Sequence, residues 1–96
     1  MSALTLVSPT DRPLRALVEA ALENELRLLH AGMLRTEERL QGFGSRYGLA
    51  SSEFLQQYEN DELAEDLDTA EWVGEMRLHT RLREKADTLQ EIQIAN

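Results

Sequence analysis

The sequence predicts an all-α protein. Two long antiparallel helices form a coiled-coil-like hairpin, joined by a short helix and an acidic connector, and two chains assemble as a dimeric helical bundle. Three observations predict it. Positions Leu22, Leu26, Leu29, Met33, Thr36, Leu40 and Phe43 alternate spacings of four and three, the pattern of a heptad seam. A second helical face recurs at Trp72, Met76, His79, Leu82, Ala86 and Leu89, with Val73, Leu78 and Ile92 beside it. The two prolines, Pro9 and Pro13, both lie near the N-terminus and leave the remainder free of that helix breaker.

At 96 residues the chain makes one domain at most. Residues 1–9 read as a loose N-terminal arm and residues 10–96 as a single helical domain. With no cysteine, thiol nucleophiles and cysteine-based metal sites are excluded. Residues 1–13 do not read as a signal peptide, because their basic residues follow a short apolar run instead of preceding a long one. No run approaches the length of a membrane span, so a soluble cytoplasmic protein is expected.

The helix starts follow from capping chemistry. In Ser8-Pro9-Thr10-Asp11, Thr10 or Asp11 can cap free backbone N–H groups, and Pro13 suits a first turn. The first helix then runs to about Gly42, with Leu14, Leu17, Val18 and Ala21 extending its apolar face, and Gly42 and Gly44 end it. Its length would be roughly 45–50 Å, too long to cover its own stripe, so a second long helix or another chain is required. Leu22, Leu26, Leu29, Met33 and Leu40 are the expected oligomer interface, and a homodimer is expected.

Tyr47-Gly48 is a turn signal, and Ser51 or Ser52 can cap a short helix whose apolar contacts are Phe54, Leu55 and Tyr58. Leu63 and Leu67 sit among acids in a connector that is partly helical. Asp68 or Thr69 caps the last helix, expected from about Ala70 to about Ile92. Gly32 and Gly74 interrupt helix interiors at a cost of about 1 kcal/mol each; a close backbone crossing would explain either one, and a tolerated surface glycine is the alternative.

Net charge is −8, and its location matters more than its size. Between Arg46 and Arg77 there is no lysine or arginine, while Glu53, Glu59, Asp61, Glu62, Glu65, Asp66, Asp68, Glu71 and Glu75 all fall there. On either side of that stretch acids and bases nearly balance. Such a field repels nucleic acid and anionic membrane and attracts basic proteins, although a solvated acidic face that aids solubility has the same composition.

Catalytic and metal chemistry find little footing. An EF-hand loop needs a glycine at its sixth place, and residues 56–73 contain none. A di-iron bundle needs Glu-x-x-His, but Glu75 to His79 is one residue too long and Arg27 stands three before His30. No nucleophile–base pair and no phosphate loop with its lysine is present. No enzyme and no cofactor is expected.

The residues Phe43, Tyr47-Gly48-Leu49, Ser52-Glu53-Phe54, Tyr58-Glu59, Glu62-Leu63, Asp66, Asp68 and Glu71-Trp72 resemble a family of small, largely uncharacterised prokaryotic proteins. The likeness covers about the second half of the chain. Ala64 stands where that family often has glycine, and the serine–phenylalanine spacing is one residue shorter. The resemblance implies a helical hairpin and an antitoxin-type partner of a small toxin, with no catalytic residue to carry over.

The expected function is non-enzymatic protein binding. Asp61, Glu62, Glu65 and Asp66 would steer a basic partner, and Phe54, Tyr58 and Trp72 would anchor it. For those aromatics, ordinary core is the competing role, more so for Trp72 than for Tyr58. The alternatives are a structural coiled-coil or oligomerisation module and a carboxylate-based metal-binding helical protein.

Overall fold

The computed structural model describes residues 2–7 and 13–95. In chain order they form strand β1 (Ser2–Thr5), helices α1 (Leu14–Tyr47), α2 (Ser51–Glu59) and α3 (Leu67–Glu91), and strand β2 (Ile92–Ala95). The class is all-α, as the periodicity predicts. The molecule is elongated, 60 × 21 × 18 Å.

α1 and α3 lie side by side, with residues meeting in opposite chain order. Arg46 reaches Asp68, Arg39 reaches Glu75, and Glu37 reaches His79. At Gly32 the helices come close: a Cβ there would stand 3.1 Å from Cδ1 of Leu82. The neighbour is the tip of a leucine side chain and not backbone, and Gly32 itself is buried. Gly74 faces open space, so no close crossing explains it.

The heptad seam is the buried side of α1. Leu29, Thr36 and Phe43 are buried, and Leu22, Leu26, Met33 and Leu40 are half-buried. On α3 the predicted face behaves likewise, with Trp72, Val73 and Ala86 buried and Met76, His79, Leu82 and Leu89 half-buried. The inter-helix offset, carried along, sets the end of α3 beside about residue 23 of α1, so roughly the first two turns of α1 run past it.

Helix ends differ from expectation in three places. α1 continues through Gly42 and Gly44 and ends at Gly48, whose φ of 61° is left-handed. Two interior glycines cost about 2 kcal/mol together, but the added turn buries Phe43 against Trp72, which is worth about as much or more. Gly44 serves the turn differently. Its carbonyl accepts the N–H groups of Gly48 and Leu49, and a Cβ on it would sit 3.1 Å from the Leu49 carbonyl oxygen.

Neither Ser51 nor Ser52 caps α2. Ala50 holds the cap position without a side-chain bond, and the Ser51 hydroxyl instead accepts the Trp72 indole N–H at 3.0 Å. α3 begins at Leu67 and is capped by Asp66, whose Oδ1 accepts the Thr69 N–H at 2.8 Å. Ser2–Thr5, expected within a loose arm, pairs in parallel with β2, Ser2 opposite Ile92 and Thr5 opposite Ala95. The helix start expected at Ser8-Pro9-Thr10-Asp11 lies outside the described residues.

Candidate partner-binding corner

One end of the molecule gathers the last turn of α1, all of α2, the connector of residues 60–66 and the first turns of α3. Its centre is an aromatic stack. The Trp72 ring lies flat against Phe54, with centroids 3.9 Å apart and planes 2° apart, and Phe43 stacks on it at 5.5 Å. Tyr47 stacks at 5.8 Å, and Tyr58 extends the row from Phe54 at 6.1 Å. Leu40, Leu49, Leu63 and Met76 pack around this cluster.

Two of the expected anchors therefore have another role. Phe54 and Trp72 are each only 2% exposed. A ring enclosed by its own chain cannot enter a partner's pocket, so these two belong to the core. Tyr58 remains half-buried, with its hydroxyl 3.4 Å from Glu65 Oε1. Likewise α3 already covers the middle of the Leu22–Leu26–Leu29–Met33–Leu40 seam within one chain, and a second copy could reach Leu29 only by displacing it.

The four expected steering acids, Asp61, Glu62, Glu65 and Asp66, are all exposed and close together in sequence and space. None forms a salt bridge among the described residues. Asp61 also shapes the turn. It adopts φ 55°, its N–H donates to the Tyr58 carbonyl, and the Glu62 N–H donates to the Gln57 carbonyl at 2.9 Å. This is a Schellman end to α2 with aspartate where glycine is usual. A short polar side chain tolerates that conformation better than most.

Asp66 and Asp68 part company. Asp66 Oδ1 is taken up by Thr69, whose hydroxyl is 2.9 Å away and also within reach of the Ala64 carbonyl at 3.1 Å. Asp68 Oδ2 accepts from Arg46 Nη1 at 2.8 Å and from the Tyr47 hydroxyl. Those two bonds, that from Tyr47 foremost, hold the Asp68 carboxyl below the usual carboxylate range. The same bond raises the Tyr47 hydroxyl above its ordinary value. Arg46 also lies 5.5 Å from the Phe43 ring centroid. No local sequence pattern marks this clamp. The sequence places Tyr47 in a turn signal and in the family resemblance, with α1 expected to end before it.

Beneath the connector is a cleft of about 360 Å³. Tyr47, Leu49, Phe54 and Trp72 line it from the helical side, and Leu63, Ala64 and Asp66 from the connector. A second, shallower groove of about 690 Å³ runs along the α1–α3 surface over Gly42 and Gly74, between Arg39, Arg46 and Glu71. At its edge Arg39 Nη1 donates to Glu75 Oε1 at 2.8 Å, while Glu75 Oε2 is buried with no hydrogen-bond partner among the described residues. No three histidine or acidic side chains converge as a metal site among the described residues. No helix among them is long and apolar enough to cross a membrane.

Compared with family models, curated proteins and solved structures, the chain matches none of them.

Proposed function

We propose that this chain is a non-enzymatic protein-binding module of the cytoplasm that receives a basic protein partner at its acidic corner. Antitoxin-like neutralisation of a small basic toxin is the specific form suggested by the family resemblance. The observation that supports it is the exposed set Asp61, Glu62, Glu65 and Asp66, without a salt-bridge partner and adjoining half-buried Tyr58 at one end of an elongated body. Unpaired carboxylates on one tip concentrate negative potential there and speed encounter with a basic surface. Affinity capture from native lysate tests it, using wild type and a variant with all four acids changed to lysine as paired baits. A basic protein retained by wild type and lost from the variant is expected. Equal retention on both baits would leave the acids as a solubilising surface.

A second reading, a coiled-coil assembly module, is favoured by a different observation. Leu17 and Leu28 are 64% and 60% exposed and lie three turns apart on one face of α1, away from its buried seam. A homodimer through that face would cover them and leave α3 in place.

A further inference from the structure

The acidic connector does more than carry charge, because it roofs an apolar cleft. Building on the proposed acidic corner, we infer that this cleft receives the side chain of one lysine or arginine of the partner, its aliphatic stem inside and its charged head at the mouth.

The cleft has the size and the composition for such a stem. Its volume, about 360 Å³, exceeds that of one long side chain, and Tyr47, Leu49, Leu63 and Ala64 supply apolar surface. Long basic side chains bury methylenes while their charge stays at the surface. Trp72 forms part of the floor, but Phe54 and Phe43 stack on it. Its faces are thus taken, and a cation stacked on the indole is not the mode of binding. The charged head must instead meet a carboxylate. Asp66 lines the cleft and is exposed, with Oδ1 engaged by Thr69, leaving Oδ2 for an incoming cation. Glu65 adjoins it, held near Tyr58.

The charge balance selects the occupant. An acidic side chain would meet Asp66, Glu65, Glu62 and Asp61 with no cation between Arg46 and Arg77 to offset them, and Arg46 is already committed to Asp68. A purely apolar side chain would fill the cleft and leave the rim unused. A basic side chain satisfies both parts.

The test uses two probe peptides, octalysine and its diaminobutyrate counterpart. They carry equal charge near pH 6, well below the lysine range of about 10.4, but each side chain of the second lacks two methylenes. The indole N–H resonance of Trp72, the only tryptophan, reports on the cleft. Octalysine should shift it and bind about fifteen-fold more tightly than the short-stemmed peptide, from roughly two methylenes buried. Ala64→Phe, which fills the cleft without changing charge, should reduce that ratio to about one. If both peptides bind wild type equally and leave the indole unmoved, the cleft inference fails while the acidic corner stands. If neither binds at low salt, both fail. If Ala64→Phe keeps the ratio, the stem lodges elsewhere and the inference is overturned. The comparison on wild type alone is decisive even if that variant does not fold.

Discussion

Tyr47 and Asp68 tie the last turn of α1 to the first turn of α3, through a hydroxyl–carboxylate bond whose acceptor oxygen also takes Arg46. The bond matters because it joins the two helix ends between which α2 and the connector run. It also makes stability depend on pH in a stated direction. A carboxyl whose folded value is lowered binds its proton less readily in the native state. Its contribution is therefore full above the ordinary aspartate range and is lost as pH falls through the lowered folded value. Tyr47 has the opposite sign: its raised value gives stability below its ordinary titration near 10, lost as pH rises through the folded value. Urea midpoints of wild type and Asp68→Asn should differ by a constant amount from about pH 5 to 9 and converge below that window. A difference that persists unchanged into strong acid would contradict the clamp.

Trp72 is the centre of the core, and its loss should be costly. Trp72→Ala is expected to destabilise by about 3–5 kcal/mol, enough to unfold so small a domain in part or whole. Trp72→Phe keeps a stacking ring but loses the indole bond to Ser51. It should cost less, about 1–3 kcal/mol. Chemical denaturation followed by circular dichroism gives both values, and equal losses would show that the Phe54–Trp72 stack contributes little.

Asp61 pairs a backbone constraint with a surface charge. Asp61→Gly removes the left-handed cost and should raise stability by up to about 1 kcal/mol. Gly48→Ala, at the matching end of α1, should lower it by about 1 kcal/mol. Thermal melts of the two variants should therefore move in opposite directions. If Asp61→Gly proves neutral or destabilising, the carboxylate has a structural role beyond the turn.

Much of the helical scaffold was legible because helices announce themselves locally. The spacing of Leu22 through Phe43 and of Trp72 through Leu89 marks the faces that the fold buries. Helix ends were less legible. Gly42 and Gly44 carry the composition of a terminus, yet burial of Phe43 between them outweighs their propensity, and only Gly48 takes the left-handed conformation. At α3, Asp66, Asp68 and Thr69 are all competent caps within one turn, and choosing among them requires knowing that Asp68 is held by Arg46 and Tyr47. The β1–β2 pairing joins the two ends of the chain, and no local pattern signals so distant a partner. Within the candidate site, the exposed acids were legible from the absence of cations. The partition of the aromatics into core Phe54 and Trp72 and half-buried Tyr58 was not, because sequence gives no distance between rings.

The exposed leucines on the far face of α1 give the assembly reading its own test. If they meet in a homodimer, Leu17→Glu with Leu28→Glu should shift sedimentation from dimer to monomer while helicity is kept. A wild type that remains monomeric at high micromolar concentration would remove that reading.

The central claim, that the acidic corner steers a basic partner and Tyr58 helps hold it, is tested most directly by binding kinetics across a salt series. The proteins are wild type, the variant with Asp61, Glu62, Glu65 and Asp66 changed to lysine, and Tyr58→Ala, each against the captured partner. Charge reversal should slow association by about ten-fold or more at low salt, with the difference shrinking beyond about 0.15 M, where charges are screened over roughly 8 Å. Tyr58→Ala should leave association nearly unchanged and speed dissociation, because a packed ring acts only after contact. Identical association and dissociation rates for all three proteins would contradict the account.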